Sequence, residues 1–297
     1  MYEYSMIEWI MFFYIYCFLG WCIESAYVSC CSHKLVNRGF MRGPFLPLYG
    51  SGALVMLIVS MPFQDNLLLT YIAGVIGATV LEYVTGVLME TLFKVRYWDY
   101  SVQPLNYKGY ICAGSSLAWG FLTILMTHVI HEPIAHMVLL IPQTVLTIVV
   151  FILTVLIVAD FSVAFRTALD LRDILVHMDK AKQELERMQK RLDVIAAVID
   201  DTKEEIAEGI DQKLSRLKDI IQEKPTGYAE SIRDEIAEIR TRFSIQAENK
   251  RQLKVAKDFN RRNLILGNPS MRSAKYNEML NELKEEIELR RKERHHK

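Results

Sequence analysis

LLLTYIAGVIGATVLEYVTGVLMETLFKVRYWDY, residues 67–100, joins a helix of membrane length to a short cationic and aromatic segment. Gly74, Ala78, Glu82, Gly86 and Glu90 recur every four residues, which puts them on one slowly drifting stripe of that helix. Small residues at this spacing let a second helix approach closely in lipid. Two carboxylates share the stripe, and a charge near the bilayer centre costs about 2.5–3.5 kcal/mol on insertion scales. Such groups face protein or water. The stripe is therefore expected to be an inward, polar face, with Gly74, Ala78 and Gly86 as helix-packing positions.

On either side of this helix the 297-residue chain divides in two, and its formal net charge of zero hides the division. Residues 1–161 are mostly apolar and are expected to form a transmembrane domain. Residues 162–297 carry dense charge of both signs and read as a cytoplasmic helical tail. The fold expected is all-α, a polytopic membrane helix bundle of about five spans: 8–31, 45–62, 67–93, 110–131 and 134–159. Each is near the roughly 20 residues that a bilayer requires. The second is short and opens on Gly43-Pro44-Phe45-Leu46-Pro47, which favours an irregular entry covered by protein. Glu3 and Glu8, in place of a basic leader, mark the first span as an uncleaved helix.

Loop charges set the orientation. Lys34, Arg38 and Arg42 lie after the first span, and Lys94, Arg96 and Lys108 after the third; the loop around Asp65 has no Lys or Arg. Excess Lys and Arg marks cytoplasmic loops. The expectation is a multi-pass protein of the cell membrane with its N-terminus outside and its tail inside. His128, His131 and His136 surround the turn expected between the last two spans and read as water-facing.

In the tail, Met178, Leu185, Met188, Leu192, Ile195, Ile199 and Ile206 follow three-four spacing, the seam of a coiled coil. After Ile206 the spacing slips, and Lys224-Pro225-Thr226-Gly227 breaks the helix. Ile232, Ile236, Ile239 and Phe243 form a second apolar face. An intramolecular hairpin and an intermolecular coiled coil, making a homo-oligomer, both fit. Ser273 is placed to cap a last helix running to about Arg291. Acids balance bases throughout the tail, which disfavours nucleic acid as a partner.

Counting 1.5 Å per residue from the inner helix ends puts Glu24 about 12 Å, Glu82 about 18 Å and Glu90 about 6 Å into the membrane. Arg38, Arg42, Arg96 and Asp99 lie on the same side. The physical picture is a polar vestibule open to the cytoplasm, its carboxylates partnered by guanidinium groups, with Arg42 the expected partner of Glu24 or Glu82. Tyr97, Trp98 and Tyr100 read by default as interfacial anchors. The chain has no P-loop, G-x-S-x-G or H-E-x-x-H motif, so no catalytic residue is assigned. Its five cysteines show no C-x-x-C spacing, and no metal or cofactor is expected.

Several stretches carry a resemblance: Gly20-Trp21-Cys22-Ile23-Glu24, the run from Asn37 to Phe45, Glu82-Tyr83-Val84-Thr85-Gly86, and Arg96-Tyr97-Trp98-Asp99-Tyr100-Ser101. With Pro104 to Cys112 and Trp119-Gly120, they are similar to the bacterial ABC-transporter type IV family, of CmpB permease-like type. The similarity covers most of residues 16–120, and Asn268 to Ser273 extends it. It implies a bacterial permease-like transport component without its own ATPase, embedded in lipid and working with a separate ATPase or other cytoplasmic protein. Glu24, Glu82 and Glu90 would then line the path, with Arg38, Arg42, Arg96, Trp98 and Asp99 at its mouth. The residues alone also fit a membrane-embedded enzyme acting on lipid-linked substrates at the inner leaflet, or a scaffold acting through its tail.

Overall fold

The computed structural model describes residues 4–199, 237–239, 241 and 258–295. It is an all-α membrane helix bundle. Among the described residues, four helical stretches are long and apolar enough to cross a bilayer: α1 (Met6–Ser32), α3 (Leu67–Phe93), the stretch Ala113–Leu139, and the first part of α6 (Gln143–Ile199). A shorter apolar stretch, Pro47–Phe63, contains α2 (Pro47–Ser60) and a closing 3-10 turn.

Local chemistry sets the helix ends. Ser5 and Glu8 form a reciprocal capping box at the start of α1, and His33 ends that helix in the left-handed region. Asn66 accepts from the N–H groups of Leu68 and Leu69 to start α3, and Lys94 ends it at φ 59°. Pro47 sits in the first turn of α2, where its missing N–H costs nothing. The segment before it folds back on α1, with Leu46 N donating to Cys17 O at 3.1 Å.

The boundary between the last two spans differs from expectation. Pro133 does not end the fourth span. The helix passes it as α4 (Ala113–Leu125), a wide π-turn (Met126–Ile130) and α5 (His131–Leu139). The proline ring displaces the carbonyl four residues back, and the wider turn accommodates it. The chain reverses at residues 140–142 instead. His131 is consequently not water-facing: it is fully buried, its Nδ1 lies 2.7 Å from the Tyr16 hydroxyl, and its ring packs on Phe12. His128 and His136 remain exposed and line a cleft with Gln64 and Glu132.

Phe12, Leu57, Met126, Val138 and Leu146 belong to the core shared by α1, α2, α5 and α6. On α3 the buried residues are Thr70, Gly74, Ala78, Glu82, Gly86 and Phe93, whereas Leu68, Ile72, Ile76, Val80, Val84 and Leu88 are exposed. The exposed set supplies the face that lipid would cover. At Gly74 a Cβ atom would fall on the side chain of Thr123 from α4. Overpacking a tight contact costs about 1–3 kcal/mol, and here the obstacle lies next to the helix backbone. Gly74→Leu should therefore sharply lower the yield of monodisperse protein in detergent, with partial recovery when Thr123→Ala is added. Parent-like yield of the single variant would show that α3 and α4 do not meet there.

The chain forms two compact units, Met1–Arg172 with Ala256–Lys297, and Asp173–Val255. Within the second unit α6 continues as helix past Met178, Leu185 and Met188, as its spacing predicts, and Gln183 donates to Asp179 one turn earlier at 3.0 Å. The slip after Ile206, the break at Lys224–Gly227 and the positions Ile232, Ile236 and Phe243 lie outside the described residues. Within the first unit the carboxy-terminal segment forms α7 (Phe259–Gly267) and α8 (Asn277–His295). Ser273 accepts from Tyr276 N at 3.0 Å in the turn just before α8.

Candidate functional site

Three carboxylates on α1 and α3 are held in three different ways. Glu24 is paired with an arginine. Its Oε1 accepts from Arg38 Nε at 3.2 Å and its Oε2 from the Tyr49 hydroxyl at 2.5 Å. The Arg38 side chain is 13% exposed and serves as a hub. Nη1 donates to Asn268 Oδ1 at 3.0 Å and Nη2 to Ser270 Oγ at 3.2 Å. The Arg38 backbone N–H donates to Ser25 Oγ at 3.2 Å, which fixes the loop against α1.

Glu90 is the second anchored carboxylate. Its Oε2 accepts from Arg96 Nε at 2.7 Å and from the Tyr110 hydroxyl. Arg96 Nη1 reaches Lys108 O at 3.1 Å and lies 3.7 Å from Asp99 Oδ1, while its guanidinium covers the Tyr110 ring at 4.6 Å. A two-stranded ribbon, β1 (Asn106–Tyr107) and β2 (Ile111–Cys112), turns Tyr110 back toward α3. Burial alone would raise the Asp99 carboxyl. The Ser101 hydrogen bonds, with Arg96 and Arg272 nearby, more than offset this and hold it below the usual carboxylate range. Because that folded value is depressed, its stabilising contribution is complete above the unfolded value and is lost as pH falls through the lower one.

Glu82 is different. It is 5% exposed, and its three partners are neutral donors: the Tyr100 hydroxyl at 3.0 Å, Ser115 Oγ at 3.3 Å and the Trp119 indole N–H at 3.0 Å. The expected pairing with Arg42 does not occur. Arg42 pairs with neither Glu82 nor Glu24, because its loop turns the guanidinium onto the Phe259 ring, 5.6 Å from the centroid. A cavity of about 450 Å³ opens there, lined by apolar side chains such as Phe40, Leu266 and Phe259 and by polar ones such as Arg42, Asn263 and Arg291.

Tyr97, Trp98 and Tyr100 pack within the protein and are not interfacial anchors either. Trp98 donates to Tyr110 O at 3.0 Å and lies over Gly86, where a Cβ would meet its ring at 3.5 Å. Tyr97 is 6% exposed and Tyr100 is committed to Glu82. Facing inward is favourable because Gly86 leaves room for flat rings beside α3.

The carboxy-terminal segment closes over this layer. Arg96 and Arg272 form an antiparallel bridge, with N–H···O distances of 2.6 Å and 2.9 Å. Ser270 donates to Tyr97 O at 3.0 Å and Ser273 to Lys94 O at 2.6 Å, satisfying carbonyls at and beyond the end of α3. Asn268, 1% exposed, donates to Gly39 O at 2.9 Å and Leu264 O at 2.8 Å. Met271 is fully buried. Arg272 Nη1 lies 3.6 Å from Asp99. Reasoning from sequence passed over Tyr49, Tyr110, Trp119 and the strap Asn268–Arg272 as partners of the carboxylates. Tyr49, Tyr110 and Trp119 lie 20 to 37 positions from their acids, so no local spacing signals them. Among the described residues, no three His, Cys, Asp or Glu side chains come together as metal ligands would.

A model of the family described as "Putative ABC-transporter type IV" matches residues 11–165, just over half of the chain. The match covers α1 to the membrane part of α6, including all three carboxylates, and stops before the strap. No curated protein and no solved structure matches the chain.

Proposed function

Because the chain belongs to the ABC-transporter type IV family, we propose that it is a permease-like transport component of a bacterial membrane, coupled to a separate ATPase. The observation that carries this reading is the layer of Glu24–Arg38, Glu82 and Glu90–Arg96, buried beside the basic loops and covered by the strap. Ionisable groups inside a membrane bundle are costly, and their common use is on a substrate or ion path. Arg38 and Arg96 hold two of the acids in place. Arg42, Trp98 and Asp99 line the cytoplasmic mouth, and the part of α6 beyond Asp173 offers helical surface to the ATPase or to a second copy of the chain through a coiled coil.

The chain has no P-loop, so energy from ATP would have to come from a partner. Inside-out vesicles prepared with and without the chain, given ATP, test the proposal by comparing their solute and lipid contents. We expect at least one solute whose vesicle content changes only when both the chain and ATP are present, with the change abolished in Arg38→Ala vesicles of equal protein content. A lipid-linked product that forms without net solute movement would replace transport with the enzyme reading.

A further inference from the structure

We infer that Glu82 is a proton-exchanging site, with the proton as its ligand and Tyr100 as the link to the inner loop. Glu24 and Glu90 each have an arginine, but Glu82 has no ion pair among the described residues. Two helices pack against α3 beside it, and neither α2 nor α4 carries a charged side chain. The only titratable side chain on α2 is Tyr49, already donated to Glu24. The start of α4 is preceded by Cys112, and the inner loop supplies Tyr100. Farther along α3 itself, Glu90 is neutralised by Arg96. A buried carboxylate without a cation is costly unless it takes up a proton.

The hydrogen count around Ser115 supports both states. Its oxygen accepts from Cys112 N at 3.3 Å, which leaves one lone pair for a further donor, and its single hydroxyl hydrogen has two acceptors in reach, Cys112 O at 3.0 Å and Glu82 Oε2 at 3.3 Å. When that hydrogen goes to the nearer Cys112 O, Ser115 Oγ and Glu82 Oε2 face each other as two lone pairs. A proton on Oε2 then turns the contact into a hydrogen bond from Glu82 to Ser115 Oγ. When Glu82 is ionised, Ser115 rotates and donates to it. Trp119 N–H can only donate, and it serves either form of the carboxyl group. Tyr100 can donate to Oε1, and it sits at the inner loop, half-buried, where a proton enters or leaves. The cluster is thus satisfied with one proton more or one fewer, at the cost of a hydroxyl rotation.

This inference deepens the transport reading, in which the proton gates or accompanies the solute, but proton occupancy is measured without transport. Infrared difference spectra of the full chain in lipid nanodiscs, recorded while pH is stepped across the folded range, read the carbonyl stretch of a protonated carboxyl. We expect such a band to grow on acidification, to shift in deuterated water and to be lost in Glu82→Gln, which keeps the shape of the site. Trp119→Phe removes a donor from the ionised form and should move the midpoint up by about one pH unit. Absence of any Glu82-dependent band, or a band that does not change with pH, overturns the inference. So does loss of the band on adding sodium at constant pH, which would make the ligand a metal cation. A titrating band in a chain that moves no solute removes the transport reading and leaves the site. Solute flux retained in Glu82→Gln with a silent parent band removes the site and leaves transport.

Discussion

Replacing Arg38 by alanine should unfold the inner face of the bundle more readily than any other single charge removal. The side chain neutralises Glu24 and at the same time holds Asn268 and Ser270 of the strap. Removing one member of a buried pair leaves the other charge uncompensated, at about 3–5 kcal/mol. Glu24 keeps one compensating donor, Tyr49, and is 24% exposed, which favours the lower end of that range. The thermal midpoint in nanodiscs should fall clearly, and adding Glu24→Gln should restore part of the loss. If the single variant melts with the parent, the pair contributes nothing and Arg38 is not a hub.

Asn268→Leu should have the second largest effect. The leucine has nearly the same volume, but it leaves the Gly39 and Leu264 carbonyls and one Arg38 N–H without their partner. Each buried group left unsatisfied costs about 1–3 kcal/mol. Limited proteolysis should then cut after α7 while the membrane helices stay intact. Asn268 and Arg38 share one hydrogen bond, so the double variant should lose less than the sum of the two singles, by about 0.5–3 kcal/mol. Strict additivity would mean that the strap and the Glu24 pair are independent.

How much of this was legible in the sequence depends on how local the cause is. Apolar runs and three-four spacing depend on neighbours a turn away, and from them the membrane bundle and the helical course of α6 through Met188 can be read. The turn expected around His128, His131 and His136 is absent because packing decides it: His131, buried against Phe12 and Tyr16, keeps the helix going past Pro133 through a π-turn. The carboxylate partners were harder. Charge matching pointed to Arg42, but Glu82 is served by Tyr100, Ser115 and Trp119, neutral groups that spacing rules do not flag. The strap was beyond reach for a topological reason. Arg38 and Asn268 are 230 positions apart, and no periodicity links them.

The orientation predicted from the loop charges puts the basic loops, and with them the mouth and the strap, on the cytoplasmic side. Cysteine labelling in intact cells measures it directly, in a background without the five native cysteines. A cysteine placed at Asp65 and one placed at Lys34 are both exposed positions of the fold, on loops at opposite ends of the bundle's first helices. An impermeant thiol reagent should modify the first and spare the second until the membrane is opened. Modification at position 34 with protection at position 65 would put the basic loops and the strap outside the cell and contradict this orientation.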